Sequence, residues 1–445
     1  MGRLKFFPLF SVVIQLICIV TVIQGHAFTL EECVDLALKN NPSLQQQQLN
    51  LELAHEDMTD QKSQNFGKLN VISSYTHYNL PRTLVPLTPA SIFSNPAAVA
   101  TTEDLFAAGL VYEVALFTGF AQTRAIQIAA LQKEMAAATL KLSREQLIFN
   151  VKTLYVNILS LQAQKEAQTA YVKAVQNLHD DITRQLKLGK KARIDQLKAA
   201  ADLKNGHAGE SRIVANIKIL KATLASLLNV NSVPELQPID LSPESMVVAE
   251  DDFADQIETL QRLRAAQLAV EKNSKLVEKV NGSLYPQIVL NTAYGQNFGP
   301  NDSSNRNSGD WNHQEVWQAG VNLKWNILDF GGNRARVQKA RTLERQSRYE
   351  QTKTALELRR ALQEAVTKIN TAVTDYNSAQ AELAMTRETA AIEQVRYEQG
   401  AADINDLLSA KARNQLALSR FINAGYSYKN ACFYLDYLLE NGENR

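Results

Sequence analysis

Residues 109–119 (GLVYEVALFTG) and 320–332 (GVNLKWNILDFGG) write one passage twice: alternating polarity that turns through glycine into a very long helical run. The echo continues about 211 residues apart, pairing Gly109 with Gly320, Gly189 with Gly400, Asp195 with Asp406, Leu197 with Leu408 and Ala199 with Ala410. A duplicated unit of a few strands and giant helices cannot bury its own surfaces as a monomer. The pattern therefore predicts an oligomeric tube. It also predicts two structural repeats, 28–240 and 241–445, each built as helix, β-hairpin, long helix and helix.

Proline places the helices. None occurs between Pro96 and Pro234 and none after Pro300, and these stretches are rich in Ala, Gln, Leu, Lys, Arg and Glu, all strong helix formers. Helical pattern runs from about 120 to 188 and from about 333 to 399, each roughly 100 Å at 1.5 Å per residue. Ala355, Leu358, Leu362, Ala365, Ile369, Ala372, Tyr376, Ala379 and Leu383 keep unbroken 3-4 spacing. In the first repeat Ile128, Leu131, Met135, Ala138 and Leu142 do the same, then Leu147, Val151, Leu154, Ile158 and Leu161 on a shifted seam. Two seams predict coiled-coil packing with a neighbour on each flank. Shorter helices are expected at about 43–66, 192–229, 253–281 and 403–439. Laid end to end in pairs, they match the long helices in length. Gly206 and Gly209 should bend the second of them.

Four strands are expected at about 68–80, 105–117, 286–295 and 315–328. In the last, Trp317, Ala319, Val321, Leu323, Trp325 and Ile327 share one face, and Gln318, Gly320, Asn322, Lys324 and Asn326 the other. Ten-residue alternation with aromatics near the ends is the pattern of an outer-membrane barrel strand, and Trp317 and Trp325 would mark its two girdles. A half-buried strand of a soluble sheet is the alternative. Four antiparallel strands leave two open edges, which hydrocarbon does not tolerate. Two chains would close eight strands and three would close twelve; twelve suits a water-filled conduit.

Residues 1–27 read as a secretory signal. Arg3 and Lys5 precede a largely apolar Phe6–Ile23, and Gly25-His26-Ala27 supplies small residues for cleavage. The apolar stretch is long, so an uncleaved anchor is the alternative. Removing it takes 2 of the 47 Lys+Arg and none of the 46 Asp+Glu, so the mature net charge is −1. No basic patch points to nucleic acid. Cys33 and Cys432 are the cysteines that remain. Neither they nor the scattered histidines have metal or redox spacing. No catalytic constellation, metal site or cofactor motif is found. Asp329-Phe330-Gly331-Gly332-Asn333 joins a strand to a helix but lacks the Gly-Lys of a phosphate loop.

The segments FTLEECVDLALKNNPSL (28–44), RQLKLGKKARIDQLKAA (184–200) and VRYEQGAADINDLLSAK (395–411), with the paired strand-to-helix turns, resemble the TolC-type outer-membrane efflux proteins. The resemblance spans the whole mature chain. It implies an α+β membrane protein: a homotrimeric twelve-stranded β-barrel, four strands per chain, continued by a periplasmic α-helical barrel. It further implies the outer membrane of a Gram-negative bacterium, with outer-membrane lipid around the barrel. The partners would be a periplasmic adaptor protein and an inner-membrane transporter of the RND, ABC or MFS type. The protein would be their passive exit duct.

Gly189 and Gly400 stand where each long helix must reverse into its partner, a C′ position suited to glycine. By the resemblance these turns, with Lys190, are the periplasmic tips that meet the adaptor. Asp195 and Asp406 lie six residues beyond each turn. They read either as carboxylates favoured in a first helical turn or, in three copies, as a ring of six at the narrowest opening. Tyr397 matches an aperture tyrosine of the family. Where relatives carry arginine and a second aspartate this chain has Ala402 and Ser409, while Asp403 is additional and Lys190, Lys191 and Arg193 make the first turn basic. The aperture should therefore be wired differently. The family also places both chain ends around the middle of the helical barrel, which makes Cys33 and Cys432 candidates for a disulfide. The long loops, about 81–104 and 296–314, are expected outside the cell. A periplasmic coiled-coil scaffold or surface-attachment protein with a soluble sheet is the competing function, and detergent-dependent extraction from outer membrane separates the two.

Overall fold

The computed structural model describes residues 27–94, 99–243, 250–300, 302 and 310–442. Residues 1–26 of the expected signal lie outside the described residues, as do 95–98, 301 and 303–309 of the expected loops. In chain order the elements are α1 (Leu30–Asn40), α2 (Pro42–Ser63), β1 (Lys68–Thr83), α3 (Pro89–Ser94), β2 (Thr101–Phe117), α4 (Ala121–Lys187) and α5 (Arg193–Leu228). There follow α6 (Gln261–Asn281), β3 (Gln287–Pro300), β4 (Trp311–Lys324), α7 (Gly332–Glu398) and α8 (Ile404–Leu438). The two long helices α4 and α7 have 67 residues each, and both their starts and their ends are 211 positions apart (121 and 332, 187 and 398).

The chain divides into two compact units. One comprises the described residues of Met1–Asn41, Asn150–Ser245 and Thr371–Asn430 and is helical. Its first helix starts on a reciprocal cap: the Glu32 amide donates to Thr29 Oγ1 at 3.1 Å, and the Thr29 amide donates to Glu32 Oε2 at 2.9 Å. α1 ends where Asn41, extended at ψ 120, precedes Pro42. Buried Asn41 then donates through Nδ2 to the Leu227 carbonyl at 2.9 Å, tying that end to α5. Val151, Tyr155, Val156 and Ile158 of α4 are wholly buried, each worth about 1.5–3 kcal/mol as a buried large apolar side chain. The Tyr155 hydroxyl lies 2.9 Å from the Phe28 carbonyl and 2.7 Å from that of Gln237, which anchors the segment before α1 against α4.

The other unit comprises Pro42–Phe149 with the described residues of Met246–Asn370 and Ala431–Arg445, and carries the sheet. Its four strands pair in the order β1-β2-β3-β4, antiparallel throughout. Register lines Val71, Leu110, Tyr294 and Trp317 up across the sheet, so all four point to one face, and all four are exposed. Leu69, Val114, Leu290, Val321 and Leu323 share that face. The opposite face carries Asn70, Ser74, Glu113, Asn291, Gln318, Gly320 and Asn322. Gly109 and Gly295 oppose each other there. A Cβ on Gly109 would stand 2.7 Å from the Tyr294 carbonyl oxygen, and one on Gly295 2.5 Å from that of Ala108. Glycine at such a pair lets neighbouring backbones close up on that face, as a curling sheet requires.

Several boundaries differ from the sequence reading. β3 runs on to Pro300 and β4 begins at Trp311, so strand continues into residues that composition marks as loop. The cause is tertiary: Phe298 and Trp311 pack against Phe106, with ring centroids 5.5 and 5.3 Å from it. β4 stops at Lys324, which leaves Trp325 beyond the strand, its indole N–H donating to the Leu284 carbonyl at 3.1 Å. α5 passes through Gly206 and Gly209 without interruption. Those glycines serve close approach instead, since a Cβ on Gly206 would meet Val172 Cγ2 at 3.0 Å and Gln168 Nε2 already donates to the Gly206 carbonyl at 2.9 Å. The helix expected from 253 opens as a 3-10 segment, Glu250–Thr259, and α6 begins only at Gln261.

That late start is set from far away in sequence. Glu440 accepts from the Gln261 and Arg262 amides at 2.6 and 3.1 Å, giving α6 an acidic cap that local sequence does not contain. Glu440→Ala is expected to cost about 0.5–2 kcal/mol, the usual range for a lost N-terminal cap, measured as a shift in detergent-phase denaturation. Unchanged stability would mean that the carboxylate does not hold the helix start.

Candidate functional site

The two helical reversals have the same construction. After α4, the Gly189 amide donates to the Leu186 carbonyl at 3.0 Å and the Lys190 amide to Gln185 at 2.9 Å, with Gly189 at φ 71. After α7, the Gly400 amide donates to Tyr397 at 3.1 Å and the Ala401 amide to Arg396 at 2.8 Å, with Gly400 at φ 76. Each is a Schellman closure, in which a left-handed residue lets two amides return to the last carbonyls of the helix. Nothing lies within 4 Å of a Cβ at either glycine, so conformation alone selects glycine there. Lys190 and both glycines are exposed.

Behind the turns four helices meet in one apolar cluster: Leu178 and Ile182 of α4, Ala199 of α5, Tyr397 of α7, and Ile404, Leu407 and Leu408 of α8. Tyr397 is thus a buried wall residue at 7 % exposure. Lys191, from the first turn, holds its ammonium 3.9 Å from the Tyr397 ring centroid in the second, a cation–π contact. This cross-link was not read from the sequence. Its only trace there was the basic character of Lys190-Lys191.

Acidic residues near the turns take different parts. Asp403 accepts from the Asn405 and Asp406 amides at 2.6 and 3.1 Å and so opens α8 as its N-cap. The Asp406 and Asn405 amides hold its carboxyl below the usual carboxylate range. Asp195, half-buried, and Asp406, exposed, lie in the first turns of α5 and α8, where the helix dipole favours a carboxylate.

Near the second turn, α7 and α8 hold a group of buried polar atoms. Glu393 Oε2, Gln394 Oε1 and Tyr397 Oη, with Asn414 Oδ1 of α8, are buried without a hydrogen-bond partner among the described residues. Each such group costs about 1–3 kcal/mol. Beside them a cavity of about 540 Å³ is lined by Tyr171, Asn177, Gln394, Lys411, Asn414 and Leu418 among others. Burial pushes the Lys411 ammonium below its usual pKa, against the opposing pull of Glu398.

The remaining predicted residues lie elsewhere. Trp317 and Trp325 are exposed in the sheet unit. Cys33 and Cys432 are both free cysteines in this structure. Cys33 is fully buried on α1, and its pKa is pushed up to about 12, by burial first and then by Glu32 and Glu31. A thiol held protonated is a poor partner in disulfide exchange. At the start of α7 the Asp329 carboxylate accepts the Asn333 amide at 2.5 Å, which fills with negative charge the place a phosphate would need. Among the described residues no cluster of His, Cys, Asp or Glu could hold a metal ion, and no helix is long and apolar enough to cross a membrane.

A family model described as outer membrane efflux protein matches residues 33–230 and 257–439. Among solved structures the chain is similar to the CmeC outer membrane channel of Campylobacter jejuni, with 17 % identity and a TM-score of 0.79 over 93 % of this chain and 86 % of that one. It is also similar to a membrane protein from Pseudomonas aeruginosa (19 %, 0.76, covering 92 % and 93 %). A third likeness is to the open state of the MtrE outer membrane channel of Neisseria gonorrhoeae (16 %, 0.74, covering 93 % and 89 %). At these identities the likeness is one of fold. A comparison with curated protein sequences finds no match.

Tyr397→Phe keeps the ring beneath Lys191 and deletes an unpaired buried hydroxyl. Stability is expected to hold or rise by up to about 1–2 kcal/mol, read by denaturation of the detergent-solubilised protein. A loss of more than about 1 kcal/mol would mean that the hydroxyl has a partner.

Proposed function

Because the chain belongs to the outer membrane efflux protein family, we propose that it is the exit duct of a tripartite efflux or type I secretion system. In this reading it conducts substrates passively from an inner-membrane transporter across periplasm and outer membrane. The family is one of channels, and the protein is not an enzyme. The observation that carries the proposal is the two-faced sheet. One face presents exposed Val71, Leu110, Tyr294, Trp317, Val321 and Leu323 and suits lipid; the other mixes polar and small residues with Ile72, Leu105, Val111, Val289 and Val316, and its more polar character suits a water-filled lumen.

The same sheet argues for a homotrimer. β1 and β4 each have one edge unpaired by any described strand, and an open edge in hydrocarbon leaves amide groups unsatisfied at several kcal/mol each. Three copies close twelve strands around a lumen. The family's helical tube then continues the duct into the periplasm, with the two repeats, 28–240 and 241–445, supplying its wall. Exposed apolar residues on α7 such as Leu343, Leu356 and Met385 suit packing against helices of other copies. The turns at Gly189 and Gly400, with Leu188 and Ile194 exposed around the first, are the proposed meeting place with the adaptor.

Gating is assigned to the second hairpin. The partnerless buried atoms Glu393 Oε2, Gln394 Oε1, Tyr397 Oη and Asn414 Oδ1 oppose tight closure and would hydrate on opening, while the apolar cluster and the Lys191–Tyr397 contact favour closure. Asp195 and Asp406 from three chains would ring the opening with six carboxylates.

Two measurements test this. The detergent-solubilised protein should have the mass of three chains, and a folded monomer retaining its β-signal would overturn the closure argument. In planar bilayers, Asp195→Asn with Asp406→Asn should change single-channel conductance and abolish block by divalent cations, with trimer stability nearly unchanged. Unaltered conductance and block, with a small stability loss, would reduce both aspartates to helix-start carboxylates.

A further inference from the structure

The lipid-suited face of the sheet changes character toward the loop end. Above the row Val71–Leu110–Tyr294–Trp317, the next row on that face is Ser73–Ala108–Gln296–Glu315. Glu315 and Gln296 are exposed, and a carboxylate on the lipid face is not compatible with hydrocarbon. The apolar band therefore ends between Trp317 and Glu315. At ~3.4 Å per residue and a tilt of ~40°, the following row lies roughly 10 Å above Trp317 along the membrane normal.

That row is aromatic again. Tyr75, Phe106 and Phe298 align across β1, β2 and β3, with Trp311 one row further up on β4. The rings form one cluster: Phe106 lies 4.8 Å from Tyr75, 5.5 Å from Phe298 in a stacked pair, and 5.3 Å from Trp311. Tyr75 and Trp311 remain exposed. Within the cluster a carboxylate is fixed in place. Asp104 Oδ1 accepts the Tyr75 hydroxyl at 2.7 Å and lies 2.8 Å from His77 Nδ1. Its Oδ2 has no hydrogen-bond partner among the described residues. A cavity of about 260 Å³ is lined by Tyr75, Asp104, Phe106, Pro300 and Trp311.

An aromatic girdle belongs at the edge of hydrocarbon, and this cluster stands beyond that edge. Water is a poor environment for four packed rings, so a ligand in the zone above the acyl chains is the natural cover. The site combines ring faces with one oriented acceptor, the combination that recognises a polyol: apolar C–H surface on the rings, hydroxyls on the carboxylate. A carboxylate disfavours a phosphate in the same place. We propose that Tyr75, Asp104, Phe106 and Trp311 bind a sugar of the outer-leaflet glycolipid headgroup, one site per chain. The proposal rests on the reading of this face as the lipid-facing one.

The test uses the detergent-solubilised full chain and three probes: lipopolysaccharide carrying its core sugars, lipid A without them, and phosphatidylglycerol. Native mass spectrometry should show at least tenfold tighter binding of the sugar-bearing glycolipid than of lipid A. Trp311→Ala and Asp104→Asn should each remove that preference, and Trp317→Ala, inside the apolar band, should leave it intact. Core oligosaccharide freed of lipid should alter the tryptophan emission of the wild-type protein, an arm that needs no variant to fold. Equal affinity for lipid A and the sugar-bearing form, a preference unmoved in both site variants, or an unaltered emission overturns the proposal. Planar-bilayer conductance of the same preparation reports separately on the duct, so loss of the channel reading and loss of the sugar site are different results.

Discussion

The outer edges of β1 and β4 offer rows of amide and carbonyl groups that no described strand of the chain pairs. In water such edges are a liability that proteins blunt with charge or bulges. In hydrocarbon they are untenable, because no solvent molecule can satisfy them. With an apolar face exposed beside those edges, the proposed reading makes the sheet part of an assembly. The proposed trimer follows from that requirement. So does the polar face as a lumen, since closing twelve strands puts one face wholly inside. The opposed glycines Gly109 and Gly295 serve the same end, removing side-chain bulk where the backbones of β2 and β3 crowd together on the polar face.

The helical unit answers a different need. A duct that opens and closes needs an end whose packing is good but not complete. At the turns, two Schellman closures and one four-helix apolar cluster hold the hairpins in shape, while buried acceptors on α7 and α8 lack partners. In the proposed gate, these opposing contributions would bring an open and a closed arrangement close in free energy. Asp403 lies outside this balance, because its carboxylate is committed to two backbone amides.

Much of this architecture was legible in advance. Alternation in residues 315–323 assigned Trp317, Ala319, Val321 and Leu323 to one face because the side-chain period of a strand is two, and the register agrees. The long helices were legible from proline-free, helix-forming stretches, and the reversals from glycines at matching offsets. Boundaries failed where a distant partner overrides local composition. Phe106 extends β3 and β4 through residues rich in Asn, Gly and Pro. Glu440 sets the start of α6 across 179 positions. Gly206 serves contact with α4 where sequence alone suggested a bend.

Local periodicity and backbone chemistry by themselves determined the element types, the faces of the strands and the positions of the reversals. Those properties depend on residues a few positions apart, so one sequence suffices to state them. Tertiary structure alone decided that Tyr397 is buried beneath Lys191, that Cys33 is a sealed thiol, and that Tyr75, Asp104, Phe106 and Trp311 share one cavity. Each of these joins groups with no spacing rule between them. Chain topology and side-chain packing bring them together, and neither is written in any local pattern.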